Sequence, residues 1–203
     1  MKRGTVRLPN SVAVLLFVLG ACAAPKVELT DVWKDDAYRG RYFKKVLVIS
    51  AARKEPMRTF AENEFVAQLV GRGIEAIASH EIIPFGKMRD KAFIAERIKG
   101  MGIDGILVTR VLYTLTAAPP LPKQRTWHEF YSGSFGYEHD VSAPRTSQGK
   151  TVAHVDVNLY AARDERLLWS ASADLPVKGE PRDEIRQFVS EIVRKLHQEE
   201  LLQ

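Results

Sequence analysis

An α/β fold built on a mixed sheet is predicted by three observations. Val46-Leu47-Val48-Ile49 is an unbroken apolar run, two segments of helical period separate it from later apolar runs, and the second half of the chain alternates apolar and polar residues. An unbroken run marks a strand covered on both faces, whereas alternation marks an antiparallel strand with one wet face. The expected sheet has about five strands, the first three parallel through helical crossovers and the last two antiparallel, closed by a C-terminal helix.

Each element follows from its own pattern. From Pro56 to Arg72, Phe60, Phe65, Val66, Leu69 and Val70 recur at helical spacing, Thr59-x-x-Glu62 suits a capping box, and Gly71 and Gly73 end the helix. Ile74–Ser79 reads as the second strand. Lys87–Met101 reads as a second helix carrying Ile94, Ile98 and Met101, and Ile103–Leu115 as the third strand. With the first strand central and crossovers leaving it in opposite directions, the two helices fall on opposite faces of the sheet. In Thr151–Ala161, Val155, Val157 and Leu159 face one side, and His154, Asp156, Asn158 and Tyr160 face the other, which is expected to be wet. Arg163–Arg166 supplies a turn and Leu167–Leu175 returns as a strand. The last helix, about Arg182 to Leu202, lines up Ile185, Phe188, Val189, Ile192 and Leu196 for the core.

Ahead of this domain, Ser11–Cys22 is a short apolar run ending in small residues and the single cysteine, preceded by Lys2, Arg3 and Arg7 with no acid before Glu28. A basic start, an apolar stretch too short to span a bilayer and a small-residue end are the parts of a secretory signal. Leu19-Gly20-Ala21-Cys22 resembles the lipobox of bacterial lipoproteins. That resemblance implies removal of residues 1–21 as a signal peptide, diacylglyceryl (palmitate-type) modification of Cys22, and a membrane anchor. Ala23 in place of an aspartate implies sorting to the outer membrane of a Gram-negative cell, facing the periplasm. The mature chain would have 203 − 21 = 182 residues and 30 − 3 = 27 basic against 25 acidic side chains, about +2 net. No clustered basic stripe survives, which argues against a nucleic-acid partner. Lipidation would also consume the only thiol. Residues 22–43 then read as the lipidated cysteine, a tether and an aromatic lead-in with Trp33, Tyr38 and Tyr42, and 44–203 as one domain.

The order Trp33-Lys34-Asp35, Lys45–Ile49, Arg58 with Glu62, Gly73–Ala76, Asp104–Val108 and Asn158-Leu159-Tyr160 before Leu167-Leu168-Trp169 resembles a group of uncharacterised bacterial lipoproteins. Their domain is similar to the amino-terminal domain of the Tol-system translocation protein and to the curli-secretion lipoprotein. The resemblance implies the architecture; its motifs are fold signals, not active-site signals.

Residues 116–150 read as an aromatic loop, too long to be an idle connection. Trp127, Phe130, Tyr131, Phe135 and Tyr137 are its candidate partner-binding residues, and the alternative is that they pack on their own domain. The loop lacks the two alternating segments of a membrane hairpin. Arg53, Lys54 and Arg58, after the first strand, are candidate anion-binding residues. The same loop lacks the glycines of a phosphate cradle, and Ser50 lacks a nucleophile-elbow context. His128 and His139, each beside an acid, are weak metal candidates, and His154 with Asp156 reads as a surface pair. No catalytic residue and no cofactor are expected. The functional expectation is a non-enzymatic, lipid-anchored binding or assembly lipoprotein of the envelope with a protein partner. The alternatives are a metal- or ligand-dependent periplasmic enzyme and an oligomeric secretion-type subunit.

Overall fold

The computed structural model describes residues 27–39, 42–112, 126–136, 145–147, 150–176 and 182–202. The strands are β1 (Leu29–Lys34), β2 (Lys45–Ala51), β3 (Glu75–Ala78), β4 (Gly105–Leu112), β5 (Arg145–Ser147), β6 (Lys150–Ala161) and β7 (Leu167–Pro176). The α-helices are α1 (Glu55–Val70), α2 (Ser79–Ile82), α3 (Lys91–Ile98), α4 (Trp127–Gly136) and α5 (Arg182–Gln198). The strands form one mixed sheet in the order β1-β7-β6-β4-β2-β3, with β5 paired to β6. As expected, β2 is the middle of a parallel trio, Leu47 lying opposite both Ile77 and Ile106, and β6 and β7 are antiparallel to each other.

The unbroken apolar run of β2 is explained by cover on both sides. Val46 and Val48 share one core with Leu107, Val157, Leu159, Trp169 and the apolar stripes of α1 and α5, including Phe65, Leu69, Phe188, Val189 and Ile192. Leu47 and Ile49 face a second core with Ile106, Val108, Tyr160, Ile83, Met88, Ile94, Trp127, Phe130 and Tyr131. Successive strand side chains point to opposite faces, so a strand between two helical layers can carry no polar residue cheaply.

Several sequence expectations need correction. Part of the lead-in joins the sheet: β1 hydrogen-bonds to β7 as an edge strand, and Phe43 is buried and bridges Leu202. Gly105 sits so close to Phe43 that an added Cβ would fall 2.8 Å from its ring, which requires glycine at the start of β4. The capping box at Thr59 is absent; α1 begins four residues earlier, at Glu55, and Glu62 turns inward. The second helix is shorter than expected, Lys91–Ile98, capped by the Asp90 carboxylate, which accepts from Phe93 N at 3.0 Å. The stretch 116–150 is not a structureless loop, since it contains α4, β5 and the first residue of β6. Finally, the polar side of β6 is largely covered. Tyr160 is fully buried beside Phe130, their ring centroids 6.4 Å apart, and Asn158 Nδ2 donates to the Tyr160 hydroxyl at 2.8 Å.

Candidate functional site

Open parallel sheets present their ligand sites at the carboxyl ends of the strands. In this chain that position is filled by the protein's own charges. Arg58 and Glu62 stand one helical turn apart on the inner side of α1, 1% and 0% exposed. Arg58 Nε donates to Glu62 Oε1 at 3.0 Å, Nη1 to the Ile83 carbonyl at 3.0 Å and Nη2 to Ser79 Oγ at 2.8 Å. Glu62 Oε1 also accepts from Ser50 N at 2.9 Å and from Ser79 Oγ at 2.6 Å. Its Oε2 accepts from His80 N at 2.7 Å and lies 2.8 Å from His80 Nδ1. One carboxylate therefore gathers the end of β2 and the start of α2, which follows β3 directly. A buried charge is tolerated when its lone pairs are filled in this way.

A second polar cluster lies on the other face, where β4, β6 and β7 run side by side. Arg110, 2% exposed, donates through Nε at 2.9 Å and Nη2 at 2.6 Å to Asp156 Oδ2. Its guanidinium carbon lies 4.5 Å from the Phe130 ring centroid, a cation–π contact. Ser172 Oγ donates to Asp156 Oδ1 at 2.7 Å, and His154 sits between two carboxylates, Nε2 3.2 Å from Asp156 and Nδ1 2.8 Å from Asp174. The hydrogen bond with Asp156 is the largest cause that raises the His154 pKa, to about 9, against the opposing effect of burial; Asp174 adds to it. For Asp156, burial pushes the pKa up, but His154, Arg110 and Ser172 together outweigh it and hold the group at about 2.

The His154 shift makes a pH prediction. A histidine that binds its proton more tightly when folded contributes stability that is complete below its unfolded pKa of about 6.5 and disappears as pH rises through about 9. We expect chemical denaturation to show a loss of about 1–2 kcal/mol between pH 6.5 and 9.5, allowing for solvent screening of the partly exposed ring. The His154→Ala protein should lack that component of the slope.

The sequence-predicted residues fare differently. Trp127, Phe130 and Tyr131 are 3%, 2% and 1% exposed and belong to the second core, so the folded domain does not offer them to a partner. Phe135 lies in α4, and Tyr137 falls outside the described residues. Arg53 and Lys54 are exposed, but Arg58 is consumed by Glu62, so the three do not form one anion site. His128 is on α4; burial first, and the charge of Lys91 second, push its pKa down. His139 and Cys22 lie outside the described residues. Among the described residues, no group of three or more His, Cys, Asp or Glu side chains is placed to hold a metal ion. His154 and Asp156 do share a face, but as part of a larger, mostly buried network.

Sequence reasoning missed α4 and Arg110, although both leave a signal. Thr126-x-x-Glu129 is a capping box: Glu129 Oε2 accepts from Thr126 N at 3.0 Å, and Thr126 Oγ1 accepts from Glu129 N at 3.3 Å. Trp127, Phe130 and Tyr131 follow at i, i+3 and i+4, the spacing of one helix face. Arg110 is the one charge in a strand that is apolar apart from Thr109, which calls for an acid on the neighbouring strand; Asp156 is its register partner.

No protein-family model and no curated protein matches this chain. Among solved structures, it is similar to the PelC dodecamer from Paraburkholderia phytofirmans, with 13% identity and a TM-score of 0.45 over 83% of this chain and 97% of that one. It is similar also to lipoprotein GNA1162 from Neisseria meningitidis, with 14% identity and a TM-score of 0.40 over 76% of this chain and 98% of that one.

Proposed function

We propose that this chain is a lipid-anchored protein of the bacterial outer membrane whose periplasm-facing α/β domain acts by binding another envelope protein, and not as an enzyme. The observation that carries the anchor is the leader, Ser11–Cys22, with Leu19-Gly20-Ala21-Cys22 at its end. The position of β1 supports a close attachment. The sheet starts at Leu29, 29 − 22 = 7 residues after the cysteine, so the leash reaches at most about 25 Å. On this reading the start of β1 lies nearest the membrane. The binding reading is supported by how the titratable groups are engaged. Glu62 and Asp156 are each surrounded by protein donors, an arrangement that holds structure and engages both carboxylates within the domain.

The experiment is metabolic labelling with palmitate together with membrane fractionation. The wild-type chain should incorporate label and sediment with outer membranes, and Cys22→Ala should lose both. Label retained by Cys22→Ala would overturn the anchor. Crosslinking in intact cells, followed by identification of the attached protein, tests the partner; a domain that crosslinks to nothing at the membrane surface would count against binding.

A further inference from the structure

Helix α4 differs from the other helices in how it is held. Its ten residues, WHEFYSGSFG, include two glycines and two serines and none of the strong helix formers except Glu129. A helix of this length and composition does not persist in water by itself, so its shape depends on what it packs against. Its first turn is capped by Thr126 and Glu129. It packs across β4 and β2, and it is joined to its neighbours by long connections: residues 113–126 separate it from β4, and 137–144 from β5.

Beneath it lies an unsatisfied group. Arg110 uses Nε and Nη2 on Asp156, but its Nη1 is buried with no hydrogen-bond partner among the described residues. Phe130 from α4 lies over the same guanidinium. Closing α4 over the sheet therefore gains the burial of Trp127, Phe130 and Tyr131, and at the same time removes water from a charged nitrogen to which no described residue offers a hydrogen bond, the Phe130 ring giving only a cation–π contact. The two effects oppose each other at one place.

We propose that α4 is a strap that opens and closes over the sheet while the rest of the domain stays folded, with the buried Arg110 guanidinium limiting how firmly it closes. Opening hydrates Nη1 and uncovers the apolar surface of Ile49, Ile106 and Val108, which share a core with the α4 rings and lie on strands held by their own ladders. This inference does not depend on the lipid anchor or on the identity of a partner.

The test is hydrogen exchange with mass spectrometry on the full chain, read as a function of low urea. Amides of 127–136 should exchange at least about a hundredfold faster than those of β4 and α5, at a rate that low urea leaves unchanged, as local opening requires. Gly133→Ala adds a helix former and should slow α4 exchange roughly four- to fivefold, with β4 unaffected. Arg110→Lys keeps a cation for Asp156 and for the Phe130 ring but deletes the unpartnered nitrogen, and it should also slow α4 exchange. The proposal is overturned if α4 and β4 exchange together, with the same urea dependence, in the wild type, or if both variants change β4 as much as α4.

Discussion

Glu62→Ala should lower the unfolding free energy by about 3–5 kcal/mol, the cost of leaving a buried charge without its partner. Arg58 is 1% exposed and cannot turn to water without opening the interface between α1 and α2. Five donor contacts converge on the Glu62 carboxylate, from Ser50 N, Arg58 Nε, Ser79 Oγ, His80 N and the His80 ring, and alanine orphans all of them at once. Urea denaturation measures the loss. The double replacement Arg58→Met with Glu62→Leu separates its causes, because a buried ion pair exchanged for apolar side chains of similar volume is often neutral. A double variant that recovers most of the stability assigns the cost to the stranded guanidinium. One that stays as unstable as Glu62→Ala assigns it to the backbone N–H groups of Ser50 and His80, which would show that the carboxylate's main task is to close the ends of β2 and β3.

That network shows what a single sequence can and cannot say. The parallel trio was readable because a strand covered on both faces must be apolar at every position, as Val46 to Ile49 are. The α5 stripe was readable for the same kind of reason: Phe188, Val189, Ile192 and Leu196 are all buried, as their spacing requires. Glu62, by contrast, satisfied a local rule, the capping box, while obeying a tertiary one. Nothing within four residues of it reveals Ser50, Ser79 or His80, which come from elements joined only by the fold. Edge strand β1 is hidden because Leu29–Lys34 carries two charged residues, Asp31 and Lys34, a composition that suits an edge with one free side but reads as tether and lead-in. In the aromatic segment, glycines and serines disguise a helix whose cap and apolar spacing are both present. Of the two readings the sequence leaves open for Trp127, Phe130 and Tyr131, a partner or their own domain, their burial in the second core fits the latter.

Asp156→Asn should have the other large effect, a loss of about 3 kcal/mol, since it removes the charge opposite Arg110, which is 2% exposed. Acid reproduces part of the same loss in the wild type. A carboxyl held at about 2 when folded contributes stability that is complete above its unfolded pKa, near 4, and is lost as pH falls through about 2. The Asn variant should therefore be less stable than wild type at neutral pH and should lack this component of the acid limb. A second readout distinguishes electrostatics from lost packing. His154 has Asp174 at 2.8 Å and Asp156 at 3.2 Å, so distance by itself ranks Asp174 first. Exposure reverses the order: the Asp174 side chain is 59% exposed and screened by water, whereas that of Asp156 is 13% exposed and acts through a less polar medium. Nuclear magnetic resonance titration of the His154 ring should then show its pKa falling further toward 6.5 in Asp156→Asn than in Asp174→Asn. The reverse ranking would mean that the shorter contact dominates and that the interior of this cluster is wet; Asp156 would then be anchored by Arg110 and Ser172 alone, and His154 would be a surface residue paired chiefly with Asp174.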